Sequence, residues 1–181
     1  MPVLRRRLRA HLQGGGLVAY PTASCFGLGC DPRNARAVAR LLRLKRRPKH
    51  KGLILIAATF DQLAPYLRPL DSASHRRVMS RWPGPCTWLL AASSKTSRLV
   101  RGRHDKVAVR LDAHPEAVAL CRIVDGAIIS TSLNRAGREP VRTYRQALQQ
   151  FGYAALVLPG RIGRCRKPST IEDFQTGRAY R

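Results

Sequence analysis

Short apolar runs closed by Gly or Pro alternate along this chain with stretches whose apolar residues recur every three or four positions. Leu4, Leu8 and Leu12 stand at four-residue spacing among arginines, predicting an amphipathic helix stopped by Gly14, Gly15 and Gly16. LVAYPT (17–22) reads as a strand ended by Pro21, and FGLGCDP (26–32) as turn residues with two glycines. Asn34 is a natural N-cap for ARAVARLLRLKRR, with Val38, Leu41 and Leu42 on one face and Arg36, Arg40 and Arg43 on the other. Pro48 is expected to stop that helix.

GLILIAA (52–58) is continuously apolar, the pattern of a central strand covered on both faces. Helices are predicted near 60–67 and 72–81, and WPGPCTWLLAA (82–92) reads as a turn feeding a strand. KVAVRL (106–111) alternates and should be half buried, whereas PEAVALCRIV (115–124) opens a helix on Pro. AIISTS (127–132) is strand-like, TYRQALQQF (143–151) is a helix capped by Thr143, and ALVLPG (155–160) is a strand. The last twenty residues read as basic loop with a final short element. Strands and helices mix without strict alternation, which favours a three-layer α/β domain with a mixed sheet. Residues 1–181 are expected to form one domain.

Charge changes the picture of partners, not of fold. The 34 Lys and Arg outnumber the 10 Asp and Glu, giving a formal charge of +24 that favours anionic ligands such as nucleotides or RNA. Five cysteines without C-x-x-C spacing indicate neither a disulfide framework nor a zinc site, and the five histidines show no H-x-x-x-H pair. No protein-held transition metal is therefore expected. Absence of a bilayer-length apolar run and of a signal-peptide core points to a cytoplasmic protein with no membrane partner.

Ten scattered carboxylates leave little for a two-metal nuclease or a glycosidase pair. No P-loop and no G-x-S-x-G elbow occurs, and FGLGCD is too weak for a dinucleotide fingerprint. What remains is a set of cations and hydroxyls near strand ends: Thr22, Lys45, Arg47, Lys51, Thr87, Arg110, Ser130, Thr131, Ser132, Asn134 and Ser169. Such an inventory suits phosphates and a small zwitterion, because phosphoryl and nucleotidyl transfer rest on positioning and charge neutralisation. Each element alone also fits a cap, a turn or a solvated charge run.

Six segments taken in order carry more: AYPTASCFGLGCDP, LKRRPKHKGLILIA, RWPGPCTWLL, VAVRLDAHP, ISTSLNRAG and PSTIED. Together they resemble the YrdC-like family of threonylcarbamoyl-AMP synthases, in its short form, over residues 17–181. The most specific parts are K-x-R, here Lys45-Arg46-Arg47, and S-x-N, here Ser132-Leu133-Asn134, with W-P-G-P between them. The resemblance implies a twisted mixed α/β sheet flanked by helices around a concave basic cavity. It further implies an enzyme, a nucleotidyltransferase, that joins L-threonine, bicarbonate and ATP into threonylcarbamoyl-AMP with release of pyrophosphate. The product would serve N6-threonylcarbamoyladenosine formation in tRNA, with partner proteins making the transfer. Mg²⁺ would arrive with ATP.

Carried over by residue, the resemblance implies Lys45 and Arg47 as catalytic, and Arg47, Lys51, Thr87, Ser132, Asn134 and Arg181 as ATP ligands. Thr22, Arg110, Ser130 and Ser169 would contact threonine. The chain departs from the family pattern at Ala23, where Glu is common, at Leu133, where Ala is usual, and in NRAG after the strand. Leu133 is expected to add bulk beside the nucleotide, and Ala23 to remove an acid near Thr22. Replacing Lys45, Arg47 or Ser132 by Ala is expected to reduce product formation with little effect on unfolding, and Arg46→Ala to be neutral. Two other readings stay open at this point: a non-enzymatic tRNA or double-stranded RNA-binding protein, and an adenylating domain that handles carbamoyl groups.

Overall fold

The computed structural model describes residues 2–165 and 167–180. Among these residues eight strands form one sheet: β1 (Val18–Pro21), β2 (Phe26–Cys30), β3 (Ile54–Ala57), β4 (Cys86–Ala91), β5 (Lys106–Leu111), β6 (Ile128–Ser132), β7 (Leu156–Val157) and β8 (Thr170–Asp173). Their order is β7-β1-β2-β6-β3-β5-β4-β8. Pairs β1–β7, β3–β5 and β4–β8 run parallel and the other four antiparallel, so the sheet is mixed as the sequence pattern predicts.

Six helices flank it: α1 (Pro2–Gln13), α2 (Ala35–Lys45), α3 (Ser72–Met79), α4 (Arg98–Arg101), α5 (Pro115–Val124) and α6 (Tyr144–Phe151). Side-chain caps start four of them by satisfying amides that the first turn leaves unpaired, Ser97 Oγ at α4 accepting from the Leu99 amide at 3.2 Å. Asn34 Oδ1 accepts from the Ala37 amide at 3.0 Å, Asp71 Oδ1 from Ser74 at 2.7 Å and Thr143 Oγ1 from Gln146 at 3.2 Å.

Alternation within the strands splits the sheet into two unlike faces. Ala19, Phe26, Leu28, Leu55, Trp88, Val109 and Ile129 point into a large core closed by Val38, Leu41 and Leu42 of α2, Val78 of α3 and Phe151 of α6. The opposite face carries a smaller core, in which Val18, Tyr20, Ile56 and Ile128 pack against Leu8 and Leu12 of α1 and Leu120, Cys121 and Val124 of α5. That second core covers part of its face, and the uncovered remainder borders a cavity.

Three segments differ from the sequence reading. FGLGC is no turn but the fully buried strand β2, with Gly27 and Gly29 on the cavity-side face of the sheet. The stretch near 60–67 makes just a 3-10 turn over Ala64–Tyr66, too few residues to develop an apolar stripe. Helix α2 ends at Lys45, before Pro48 is reached: Arg46 takes a left-handed conformation with φ 52°, and the amides of Arg46 and Arg47 turn back to Arg43 O at 3.0 Å and Leu42 O at 2.9 Å. This Schellman-type cap is usually made by Gly; here Arg adopts it.

Candidate active site

The cavity measures about 1000 Å³ and is bordered by side chains from the cavity-side face of the sheet and by the loops around it. Register places Gly27 of β2 opposite Ser132 of β6, Ser130 opposite Ile54 of β3, and Ile54 opposite Ala108 of β5, so these residues share one floor. Among the lining residues seven are Lys or Arg (Arg47, Lys51, Arg101, Lys106, Arg110, Arg142, Lys167) and four are Asp or Glu (Asp105, Asp112, Glu139, Asp173). Two of the four acids are held in ion pairs, Asp173 with Lys106 at 2.7 Å and Asp112 with Arg110. The balance suits an anionic ligand.

Arg110 lies near the end of β5, largely buried, with its guanidinium held by the buried carboxylate of Asp112 through Nε at 3.1 Å and through Nη2. Asp112 Oδ1 in turn accepts the His114 amide at 2.9 Å, which fixes the carboxylate to the start of α5. A guanidinium braced on one edge keeps its remaining N–H groups for a second carboxylate. Asp112 was not singled out from sequence. Its two-residue spacing from Arg110 on a strand, with both side chains on one face, is the signal that marks it.

The threonine-side candidates Thr22, Arg110, Ser130 and Ser169 all border the cavity. Thr22 closes the turn after β1, its hydroxyl donating to Cys25 O at 2.7 Å and its amide to the same oxygen at 3.0 Å. Ser130 Oγ, on β6, accepts from the Tyr20 phenol at 2.8 Å. Ser169 Oγ stands 3.0 Å from Thr87 Oγ1, and Thr87, fully buried on β4, is not itself on the cavity wall. Backbone bonds from Gly163 to Thr22 O (2.9 Å) and Cys165 to Ala23 O (3.1 Å) tie the 163–165 segment to the turn after β1.

The structure also brings Arg47, Lys51 and Ser132 to the cavity. Arg47 donates through Nε and Nη2 to Gly52 O at 3.1 and 2.9 Å, and burial lowers its pKa. Lys51 is exposed at the end of the 3-10 turn Lys49–Lys51. Ser132 Oγ donates to Asn134 Oδ1 at 2.7 Å, while Asn134 Nδ2 donates to Arg138 O at 2.6 Å.

Lys45 is placed differently from what a phosphate ligand needs. It is buried, and its ammonium donates to Ser132 O, to Asn134 O at 3.1 Å and to Asn134 Oδ1 at 2.8 Å, using all three protons. Desolvation, with Arg47 adding like-charge repulsion, pulls its pKa down to about 8. Neither Lys45 nor Asn134 borders the cavity; together they shape the turn that carries Ser132. Arg181 lies outside the described residues. Leu133 does not crowd the cavity: it is fully buried in the large core, on the opposite side of the sheet from Ser132. Ala23 does border the cavity beside Thr22. Among the described residues no group of three or more His, Cys, Asp or Glu is arranged to hold a metal ion.

Residues 10–181 match the Sua5/YciO/YrdC family model, whose description reads Telomere recombination. A protein of Chromobacterium violaceum named threonylcarbamoyl-AMP synthase is 51% identical over 178 residues, 98% of this chain and 92% of its own. One from Methylobacillus flagellatus with the same name is 51% identical over 176 residues, 97% of this chain and 98% of its own. The crystal structure of P. abyssi Sua5 complexed with L-threonine superposes with a TM-score of 0.88 at 28% identity, covering 99% of this chain and 53% of that one. The chain thus spans about half the length of that protein.

Proposed function

The chain belongs to the Sua5/YciO/YrdC family, and from that membership we propose that it is a threonylcarbamoyl-AMP synthase. The observation that carries this reading is the near-full-length match at 51% identity to proteins of that name. The cavity supports it: its lining holds a braced guanidinium, several hydroxyls and two further cations.

In this reading L-threonine, bicarbonate and ATP give threonylcarbamoyl-AMP, pyrophosphate and water. The threonine amine first combines with bicarbonate, losing water, to give a carbamate. A carbamate oxygen then attacks the α-phosphorus, and the bond to the bridging oxygen of pyrophosphate breaks on the opposite side. Arg110, held by Asp112, takes the threonine carboxylate, with Ser130, Ser169 and Thr22 around the amino acid. Arg47 and Lys51 offset the charge that grows on the leaving pyrophosphate, and ATP arrives as its Mg²⁺ complex. Lys45 serves by holding Ser132 and Asn134 in place, so it acts through the turn, not on the phosphates. Much of the gain comes from holding three reactants in one enclosed site.

The activated threonylcarbamoyl group passes to tRNA through partner proteins, and the enzyme works in the cytoplasm. Among the described residues no helix is long and apolar enough to cross a membrane. The test is pyrophosphate release by purified protein with each substrate withheld in turn. Release that needs ATP, L-threonine and bicarbonate together is expected. Tight tRNA binding with a steep salt dependence and no release would favour the RNA-binding reading instead.

A further inference from the structure

Ser130 and Ser132 stand two residues apart on the cavity-side face of β6, yet their hydroxyls are partnered in opposite senses. The Tyr20 phenol donates to Ser130 Oγ at 2.8 Å, which occupies a lone pair and leaves the serine's own proton to be given elsewhere. Ser132 Oγ gives its proton to Asn134 Oδ1 at 2.7 Å and keeps lone pairs to offer. One serine is therefore set as a donor and its neighbour as an acceptor.

Tyr20 makes this bond from two strands away. It sits on β1, β2 intervenes, and Ser130 is on β6. The register puts Tyr20 opposite Gly27 and Gly29 opposite Ser130, so both glycines lie between the phenol's root and its target. A Cβ on Gly27 would sit 3.2 Å from Tyr20 Cζ, and one on Gly29 would sit 3.1 Å from Tyr20 Cε1 and 2.6 Å from Ile129 O. Two missing side chains thus leave a trough across β2 that the ring fills. Tyr20 is fully buried, and burial raises its pKa, keeping the phenol neutral and able to donate.

We propose that Tyr20 is a positioning residue for the amino-acid substrate: its phenol fixes Ser130 Oγ as a hydrogen-bond donor aimed into the cavity, where it meets the threonine carboxylate. This inference rests on the threonylcarbamoyl-AMP synthase reading and assigns a polarity to one part of that site. A carboxylate only accepts, so a Ser130 hydroxyl free to turn its proton toward Tyr20 would present the wrong end. Ser132, with the opposite polarity, suits a donor on the nucleotide.

The test is a double-mutant cycle of Tyr20→Phe and Ser130→Ala, read by threonine-dependent pyrophosphate release. Tyr20→Phe keeps the ring in its trough and removes the hydroxyl alone. It is expected to raise KM for L-threonine by about five- to tenfold, with KM for ATP within about twofold and the unfolding midpoint little changed. Ser130→Ala is expected to do the same, and the double variant to be no worse than the poorer single one. If Ser130→Ala raises the threonine KM while Tyr20→Phe leaves it unchanged, the inference is overturned and the functional reading stands. An equal rise in both KM values with a fall in the unfolding midpoint also overturns it, since the phenol would then be a core element. A wild-type protein without threonine-dependent release overturns the functional reading together with the inference, and needs no variant to be recognised.

Discussion

The amine of Lys45 donates to the side-chain oxygen of Asn134 at 2.8 Å and to its carbonyl at 3.1 Å, so a helix packed on the large-core face holds the turn that ends β6 beside the cavity. Three acceptors share this one ammonium, and none of its protons is left for a ligand. K-x-R and S-x-N, far apart in the chain, are thus one hydrogen-bonded unit.

Removing that amine strips a charged donor from three oxygens, two of which keep a second one: the Asn134 amide on Ser132 O at 3.0 Å and the Ser132 hydroxyl on Asn134 Oδ1 at 2.7 Å. Lys45→Met should lower unfolding free energy by about 2–3 kcal/mol and reduce product formation, because the turn carrying Ser132 loosens. Ser132→Ala should reduce product formation at a stability cost of about 1 kcal/mol or less. Denaturant titration beside the pyrophosphate assay checks both. Equal stability of Lys45→Met and wild type would mean that the amine holds nothing.

The same residue sets a pH signature. Burial and the nearby Arg47 lower its pKa from 10.5 to about 8, so between those values the unfolded chain binds a proton that the folded chain has lost. The contribution of Lys45 to stability therefore rises with pH across that window and is lowest below pH 8. Cys30 and Cys121, pushed up by burial to about 12 from 9.0, act with the opposite sign, since above pH 9 the unfolded thiols ionise first. The quantity to measure is the stability difference between wild type and Lys45→Met from pH 7 to 10.5, which should shift in favour of wild type through the window. Parallel curves would contradict it.

Asp112 braces Arg110, and neutralising it should be felt first by threonine. Asp112→Asn is expected to raise KM for L-threonine by about tenfold and to cost about 1–3 kcal/mol, because the charge-assisted bonds to Arg110 weaken while the His114 amide keeps an acceptor. Initial rates at fixed ATP with varied threonine, then the reverse, separate the two substrates. A rise confined to ATP would place Arg110 on the wrong ligand.

Left-handed Arg46 is held by its cap, not by its side chain, which is exposed. Arg46→Gly should stabilise the protein by about 0.5–1 kcal/mol by removing the Cβ penalty, whereas Arg46→Ala should stay near neutral. Thermal unfolding of the two variants side by side measures this. A lower midpoint for Arg46→Gly would show that the side chain contributes more than the conformation costs.

Gly29→Ala should behave in the opposite way. Its Cβ would stand 2.6 Å from the Ile129 carbonyl, and a central strand has no slack to yield. A loss of about 1–3 kcal/mol is expected, with a higher threonine KM as the Tyr20 ring is displaced. Unfolding midpoint and threonine kinetics measured together test it.

The sequence pattern predicts the amphipathic helices and the apolar strands well because one periodicity dominates each of them: α5 coincides with its predicted span, and KVAVRL alternates in burial as its polarity alternates. It fails where a residue serves a distant partner. Gly27 and Gly29 look like turn residues, yet their lack of Cβ makes room for Tyr20, a requirement that no local rule contains. Lys45 reads as a free cation because its acceptors lie near residue 134, and Asp112 reads as one acid among ten until the strand places it against Arg110. Leu133 suggests bulk in the cavity until alternation is applied from Ser132, which turns it into the core.

Alternation has a further consequence for β6. Ile129 and Leu133 face the large core while Ser130 and Ser132 face the cavity, so the phase of one strand decides at once what is greasy and what is reactive. Inserting or deleting a single residue upstream within β6 would exchange the two sets, burying hydroxyls without partners and opening the cavity onto Ile and Leu. The exposed 135–139 loop that follows has no such phase to keep. Length variation in this half of the molecule should therefore collect in the loop, while β6 accepts replacements one for one and no change in count.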